Sequence, residues 1–322
     1  MSTPLTRDAG IEVPLICGAM YPCSNPELVA AVSDAGGIGI VQPISLTYVY
    51  RHDFREGLRL IRRLTTRPFG MNALIERSSR RYHEKMVRWI EIALEEGVRF
   101  FVTSLGNPGW VCQRVHAVGG VVYHDVTERK WAQKGRGAGV DGLIGVNSRA
   151  GGHPGPLSAE ALLADVGDLG LPVVCAGGIG DPPGFAAALR MGYAGVQMGT
   201  RFIATEECGA SPAYKQAILD ADEADIVLSE RITGVPVAVI DTPEIRRMGL
   251  EAGRLARWML RGHRTKHWIR TWYGLKSVWQ LKRASLDRSG RNEYWQAGKS
   301  VAAITSIEPA GEIVRRCRAA IG

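Results

Sequence analysis

A single histidine stands in a glycine-rich loop near the middle of this chain. Residues 149–155 read Arg-Ala-Gly-Gly-His-Pro-Gly and follow directly on the apolar run Gly142–Val146. Imidazole has an unperturbed pKa of about 6.5, so His153 needs little tuning to take a proton from carbon near pH 7. The flanking glycines and Pro154 are expected to expose the ring. The pattern predicts a catalytic base; the alternative is a loop histidine that only hydrogen-bonds a backbone carbonyl.

Two later strand-like segments are each followed by a short glycine-containing turn. Gly177 and Gly178 come after one apolar run, and Gly199 and Thr200 come after the next. Glycine at such positions lets backbone N–H groups approach a phosphate closely. The alternative is that these residues only make tight turns between strand and helix. We expect a phosphorylated cofactor held by both loops.

Strand-like and helix-like stretches alternate through the first two-thirds of the chain. The strands are near-continuous in valine, isoleucine, leucine and glycine, which is typical of parallel strands covered on both faces. The eight predicted strands are Pro14–Met20, Gly37–Gln42, Phe69–Leu74, Arg99–Leu105, Gly120–Val126, Gly142–Val146, Pro172–Ala176 and Gly195–Met198. Amphipathic helices are predicted between them, for instance at Pro26–Ala35, Phe54–Leu64, Arg81–Glu96 and Leu157–Val166. This alternation predicts an α/β fold, a (β/α)8 TIM barrel.

An open, doubly wound sheet would produce similar local patterns. Its dinucleotide fingerprint needs a glycine-rich turn that opens a helix, whereas residues 36–39 (Gly-Gly-Ile-Gly) precede a strand. The barrel is therefore favoured, over residues 1–210 and 294–322, with its last helix at Glu308–Ala320. Residues 211–293 are expected to form a small helical, basic and tryptophan-rich insertion that lids the pocket.

Residues at the carboxyl ends of the predicted strands indicate a flavin. In a TIM barrel the active site lies at these ends, and the loops after strands seven and eight commonly hold phosphate. Small residues beside Met20 would let a flat ring lie close to the backbone, and Asn72 could hydrogen-bond the pyrimidine edge of an isoalloxazine. The predicted cofactor-binding residues are Gly18, Ala19, Met20, Asn72, His124, Gly151, Gly152, Gly177, Gly178, Gly199 and Thr200.

A second histidine, His124, is predicted to end strand five. Beside the pyrimidine ring it would be a second catalytic residue, stabilising negative charge at N1 or O2 of reduced flavin. The alternative is a structural histidine, with Asp125 orienting it or capping the next helix. Arg201 follows the phosphate turn and is treated as structural, because strand alternation turns it away from the ligand. Ser104 is a weaker candidate for lining the pocket.

Five of these segments, taken in order, resemble the nitronate monooxygenases, formerly called 2-nitropropane dioxygenases. They are residues 14–20, 69–72, 150–155, 176–179 and 197–202, with a weaker match at 295–300. The resemblance covers about residues 10–210 and implies an FMN-containing TIM barrel with a smaller helical domain before the last helix. Similar proteins include FMN-dependent NAD(P)H:quinone reductases and flavin enoyl-acyl-carrier-protein reductases. Several relatives carry a lysine close to the flavin after strand five, where this chain has Tyr123-His124-Asp125.

Three functions fit these observations. The first is FMN-dependent oxidation of small alkyl nitronates, and of nitroalkanes, by O2 to carbonyl compounds and nitrite, with His153 as the base. The second is reduction of a quinone or an enoyl thioester, with NADH or NADPH as reductant. An acidic acyl carrier protein is an expected partner only under this second function. The third is a flavin-binding protein without catalysis, in which His153 has no evident use.

The net charge of +8 is concentrated in one segment. Residues 245–291 hold 13 Lys/Arg against 2 Asp/Glu, a balance of +11, so the rest of the chain carries −3. Four tryptophans there, at helix-like intervals with leucine and isoleucine, predict an amphipathic arm packed on the body. The alternatives are docking of an acidic protein, contact with the 2′-phosphate of NADPH, or an anionic membrane surface.

Nucleic-acid and membrane partners are not expected. Interleaved basic and aromatic residues suit single-stranded nucleic acid, but no RNP, zinc-finger or helix-turn-helix signature accompanies them. No apolar run approaches the ~18 residues needed to cross a bilayer, and no signal-peptide core is present, so we expect a cytoplasmic protein. The six cysteines show no zinc-site spacing, and Cys17 and Cys175 are expected to pack in the core. A homodimer, if one forms, is expected to use the insertion as its interface.

Overall fold

Eight parallel strands close into a barrel in chain order, with β1 pairing with both β2 and β8. The computed structural model describes residues 1–76, 79–231, 234–251 and 294–322. The barrel strands are β1 (Leu15–Cys17), β2 (Ile38–Val41), β3 (Gly70–Ile75), β4 (Phe100–Leu105), β5 (Val121–Val126), β6 (Gly142–Val146), β7 (Val173–Ala176) and β8 (Gly195–Met198). Each coincides with a predicted strand, so the prediction of a TIM barrel is confirmed.

The two faces of the barrel wall are both apolar. Ile16, Ile40 and Val102 belong to a buried cluster inside the barrel. The strand residues next to these point outward; Val41 and Phe101, for example, belong to the larger cluster between the strands and the surrounding helices. Burying such a side chain contributes about 1.5–3 kcal/mol. Burial on both faces explains why the strands show no polar alternation in the sequence.

Helices alternate with the strands, and side chains cap the first turn of several of them. Ser79, Ser158 and Asp181 each accept a backbone N–H in the first turn of the helix that follows, an interaction typically worth ~1 kcal/mol. Among the described residues, the α-helices are α1 (Pro4–Ala9), α2 (Pro26–Asp34), α3 (Phe54–Leu64), α4 (Arg80–Glu95), α5 (Gly109–His116), α6 (Arg129–Gly137), α7 (Ala159–Val166), α8 (Pro182–Met191), α9 (Thr200–Ile203), α10 (Pro212–Asp220), α11 (Pro243–Met248) and α12 (Ala310–Ala319). The last helix of the barrel thus falls where it was predicted.

The amino-terminal helix α1 closes the bottom of the barrel. Leu5 and Ala9 are buried in the inner cluster. The Tyr123 hydroxyl, inside the barrel, donates to Asp8 Oδ2 at 2.8 Å. Because this end is packed, a ligand site inside the barrel must lie at the carboxyl ends of the strands.

The segment after β8 contains strands as well as helices. Ile226–Ser229 (β9) and Val237–Ile240 (β10) pair as an antiparallel sheet between α10 and α11. The described part of the predicted helical insertion therefore contains both helices and strands. Strand β10 also pairs with residues 295–297 of the returning chain. Most of the basic, tryptophan-rich stretch, from residue 252 to 293, lies outside the described residues. The division into a barrel and a lid stays a prediction.

Two smaller expectations can be compared with the structure. Cys17 and Cys175 are buried in the core, as predicted. Across the part of the chain that the structure describes, no helix combines the length and the apolar character needed to cross a bilayer.

Candidate active site

Side chains that point into the barrel form layers contributed by alternate strands. Ile16, Tyr123 and Val174 lie in the inner cluster on odd strands. Successive side chains alternate across a strand, so the residues two positions farther along also point inward. These residues, nearer the open end, are Gly18 directly after β1, Asn72 in β3, Asp125 in β5 and Ala176 in β7. This layer places two small residues on one side of the barrel mouth and two polar side chains on the other.

The loop after β1 lies against the loop after β8. A Cβ atom on Gly18 would stand 3.1 Å from the Gln197 side chain of β8, and one on Gly199 would stand 3.6 Å from Met20 Sδ. Met20 N donates to Ser24 Oγ at 2.8 Å, which holds the β1 loop. The structure therefore brings Gly18, Ala19 and Met20 next to the predicted phosphate loop, with Ala19 and Met20 half-buried.

The predicted phosphate loops have the backbone that a phosphate cradle needs. Gly177 and Gly178 have φ of +124° and +77°, which side chains rarely adopt. A Cβ on Gly177 would stand 2.4 Å from Asn147 Oδ1. Gly199 precedes the short helix α9, and Thr200 begins it. Both pairs lie at the open end of the barrel, after β7 and β8.

The returning chain before α12 closes one side of this cradle. Gly298 N donates to Thr200 Oγ1 at 2.9 Å. A Cβ on Gly298 would stand 2.5 Å from Gly151 N, so the two chain segments touch through glycine alone. Lys299 N donates to Arg149 O at 3.0 Å. The weakly matching segment 295–300 thus belongs to the site, and it joins the loops after β6 and β8.

Asn147, which the sequence analysis did not select, links the loops after β6 and β7. The side chain is fully buried. Its Nδ2 donates to Gly177 O at 3.0 Å, and its Oδ1 accepts from Arg149 N at 2.8 Å. Its position at the end of β6 was the available signal. The amide sets the cradle and the histidine loop in one arrangement.

His153 lies in the loop between β6 and α7, with an exposed side chain. Ala238 N of β10 donates to Gly152 O at 2.7 Å, and Gly152 has φ of +70°. The surrounding protein partly desolvates the imidazole, which lowers the pKa of His153 below its ordinary value. A neutral ring at pH 7 is the form that a general base requires. The structure thus places His153 on the open face beside the glycine loops.

His124 lies on the outer face of β5, which contradicts its expected contact with a flavin. It is 5% exposed, and its Nδ1 is 2.9 Å from Thr103 Oγ1. A Cβ added to Gly135 of α6 would stand 3.3 Å from the imidazole. Burial lowers the pKa of His124 to about 4, so the ring is neutral. His124 is a core residue between barrel and helix.

Replacing His124 with alanine should destabilise the protein without weakening FMN binding. The variant loses a buried hydrogen bond and leaves a cavity, which together cost about 2–3 kcal/mol. Urea unfolding measures the stability, and fluorescence titration measures the FMN dissociation constant. His116→Ala removes a solvent-exposed imidazole whose Nε2 lies 2.8 Å from Asp141 Oδ2, and it should change stability by less than about 1 kcal/mol. A large loss of FMN affinity in folded His124→Ala would contradict this assignment.

The adjacent Asp125 is the residue of β5 that points into the barrel mouth. Its Oδ1 is buried and has no hydrogen-bond partner. Burial raises the pKa of this carboxyl group to about 7. The helix-capping and orienting roles considered from the sequence do not fit this inward position. Ser104, half-buried on β4, is also inward by alternation.

Arg201 has the structural role that was predicted. It is 3% exposed, and its Nη2 donates to Ala204 O and to Ser306 O, both at 2.6 Å. Its Nη1 lies 3.4 Å from Glu308 Oε1. The guanidinium therefore anchors the segment before α12 beneath the phosphate loops.

Comparison with known proteins adds a family, two relatives and a solved structure of similar fold. The family model described as nitronate monooxygenase matches residues 2–318. The chain is 33% identical over 261 residues to (3aS,4S,5R,7aS)-5-hydroxy-7a-methyl-1-oxo-octahydro-1H-indene-4-carboxyl-CoA dehydrogenase of Mycobacterium tuberculosis, covering 80% of this chain and 70% of that protein. It is 30% identical to the nitronate monooxygenase of Pseudomonas aeruginosa, covering 73% and 78%. FabK from Thermotoga maritima has the same architecture, with a TM-score of 0.81, 28% identity and coverage of 100% and 96%.

Proposed function

This chain belongs to the nitronate monooxygenase family, and from that premise we propose that it oxidises alkyl nitronates with O2 to carbonyl compounds and nitrite. Nitroalkanes are the expected neutral substrates. The observation that carries the proposal is the junction of the phosphate cradle, formed by the loops after β7 and β8, with the His153 loop at the open end of the barrel. One set of loops would thereby hold both a phosphorylated cofactor and a base.

The residues present fit FMN. The positive-φ backbone at Gly177 and Gly178, with Gly199 and Thr200 on the adjacent loop, would hold its phosphate. Gly18, Ala19 and Met20 would lie against the ring, and Asn72 would meet its pyrimidine edge. When bound, the flavin supplies an electron acceptor that O2 can reoxidise. Gly151 and Gly152 complete the loop on the His153 side.

The chain's own contribution is proton abstraction and positioning. His153, neutral at pH 7, takes the proton from the carbon that bears the nitro group, which converts a nitroalkane to its nitronate. The hydrogen bond from Ala238 to Gly152 and the Asn147 contacts hold the loop that carries this imidazole. A substrate that already is a nitronate needs no such base. The two substrate forms therefore separate the role of His153 from electron transfer.

Oxidoreduction of an acyl-CoA thioester is the second candidate. It is favoured by the similarity to carboxyl-CoA dehydrogenases of two organisms, at 33% and 30% identity, the second covering 92% of this chain. A carbon beside a thioester carbonyl is also acidic, so the same base would serve. Reduction by NADH or NADPH, and an acidic carrier protein as partner, belong to this second candidate.

Anaerobic mixing of the FMN-loaded chain with single reductants distinguishes these functions. We expect the flavin absorbance near 450 nm to bleach with an alkyl nitronate alone, because electron transfer needs no second substrate. Bleaching by NADH, NADPH or an acyl-CoA, with none by nitronate, would favour the thioester function. Bleaching by none of them would contradict an oxidoreductase function at this site.

A further inference from the structure

Asp125 has an unexplained carboxyl group in the layer where the ring of the proposed cofactor would lie. Among the described strand residues, its Oδ1 is the only side-chain atom that is both buried and without a partner. A buried polar atom that lacks a hydrogen bond costs about 1–3 kcal/mol. Such a cost is tolerated where a ligand or a catalytic role accounts for it. Since the fold does not use this oxygen, a bound group is the natural partner.

The neighbours of Asp125 define which form of the carboxyl group a ligand would meet. Asn72 shares its layer, Ser104 is the inward residue of the next strand, and Ile144 of β6 pairs with it. None of these side chains is charged. Burial alone, with no contribution from a charged group, accounts for the raised pKa of about 7. The carboxyl group therefore carries its proton over a pH range where ordinary aspartate is ionised.

We propose that Asp125, as a neutral carboxylic acid, contacts the pyrimidine edge of bound FMN and donates a hydrogen bond to a ring carbonyl or ring nitrogen there. The inference rests on the proposed cofactor and adds a residue that the sequence analysis did not select. A protonated carboxyl group offers one donor and one acceptor. The pyrimidine edge presents both acceptors and a donor, so acid and edge are complementary. Asn72 lies in the same layer and would contact the same edge.

Small residues on the other side of the layer leave room for this arrangement. Gly18 has no side chain and Ala176 has only a methyl group, whereas the layer beneath holds Ile40, Val102 and Ile144, together with Gln197, whose side chain lies beside Gly18. A flat ring can therefore rest on a largely apolar floor with its polar edge toward Asn72 and Asp125. Ionised Asp125 would instead present negative charge to the ring carbonyls. Ionisation of Asp125 should accordingly weaken FMN binding, and bound FMN should in turn disfavour ionisation of Asp125.

The test compares FMN dissociation constants of wild-type protein and Asp125→Asn between pH 6 and pH 8.5. The asparagine amide keeps a donor and cannot ionise. Ionisation of the FMN phosphate changes both dissociation constants by the same factor, so it does not affect the ratio of the wild-type to the variant dissociation constant. We expect this ratio to rise about tenfold as the pH passes through 7, because only wild-type protein must retain a proton to bind. Asp220→Asn, at an exposed carboxylate on α10, should follow wild type at every pH.

A ratio that stays within about twofold over this pH range, with both proteins binding FMN, would overturn the inference and leave the proposed function standing. Failure of wild-type protein to bind FMN at any pH would overturn both. Asp125→Leu provides a second variant, which removes the donor and should weaken FMN binding about tenfold at pH 6. Equal affinity of folded Asp125→Leu and wild type there would also contradict the contact.

Unfolding of the FMN-free protein checks the protonation state without the cofactor. The folded state holds the Asp125 proton up to about pH 7, whereas the unfolded chain releases it near pH 4. Between these values the folded state binds more protons, so its stability should fall as pH rises, and level off above pH 7. Asp125→Asn should lack this component of the pH dependence in urea unfolding. Identical slopes for the two proteins would contradict a protonated Asp125.

Discussion

Replacing His153 with asparagine should lower kcat/KM for a neutral nitroalkane by about 100-fold or more, because positioned general bases contribute 10²- to 10⁴-fold. Turnover of the corresponding nitronate should fall by less than about tenfold, since that substrate has already lost its proton. Oxygen consumption with each substrate form measures the two rates. FMN content should be unchanged, because the imidazole is exposed beside the glycine loops.

The pKa of His153 also predicts the direction in which nitroalkane oxidation depends on pH. Partial desolvation lowers the pKa of His153, so activity on the nitroalkane should be present above that pKa and lost as the pH falls through it. The acidic limb should lie below the ordinary imidazole value of about 6.5 and disappear in His153→Asn. His116→Asn, at an exposed imidazole on α5, is the matched control and should leave both rates unchanged. Equal losses on both substrate forms would remove His153 as the base.

Replacing Gly177 with alanine should strongly weaken FMN binding. The position has φ of +124°, and the new Cβ would stand 2.4 Å from Asn147 Oδ1 and 2.6 Å from Ala150 N. Relief requires movement of the loop that links the phosphate cradle to His153. We expect the FMN dissociation constant to rise at least ~100-fold, which corresponds to about 2.7 kcal/mol. Fluorescence titration measures it, with circular dichroism confirming that the variant is folded.

Gly170→Ala controls for the backbone strain of a positive-φ glycine. Gly170 has φ of +74°, and no atom lies within 4 Å of the place that a Cβ would take. Alanine there would introduce backbone strain but no steric clash. It should cost about 1 kcal/mol in urea unfolding and leave FMN affinity unchanged. FMN affinity of Gly177→Ala within about threefold of wild type would contradict the cradle.

The barrel could be predicted from sequence because its signal is local and repeated. Each parallel strand is apolar on both faces, and glycines with helix starts mark the turns between strands and helices. The pairs Gly177-Gly178 and Gly199-Thr200 lie on the adjacent loops after β7 and β8 for the same reason, since strand count alone puts them there. The fold therefore followed from spacing, without knowledge of any distant contact.

The same uniformity prevented a correct choice between His124 and Asp125. Adjacent residues of a strand point to opposite faces, and a shift of one residue exchanges them. A strand with a polar outer face would reveal which residues point inward, but β5 is covered on both sides. The structure shows Tyr123 inside the barrel and His124 against α6. Chemistry assigned from residue type alone chose the imidazole over the carboxyl group.

Contacts between distant segments also escaped prediction. Gly298 meets Gly151 and Thr200 only because the chain returns past β10 to the barrel mouth. The pairing of β10 with Gly152 likewise joins segments that lie far apart in the sequence. Strand β10 is a short apolar run that resembles any buried segment. Its place beside the histidine loop depends on tertiary packing, which no local pattern encodes.

Equilibrium titration of the flavin-free 322-residue chain with FMN tests the central claim most directly. We predict saturable binding of one FMN per chain, quenching of flavin fluorescence, and loss of this binding in Gly177→Ala but not in Gly170→Ala. A folded wild-type chain that remains colourless and shows no saturable FMN binding would contradict the claim.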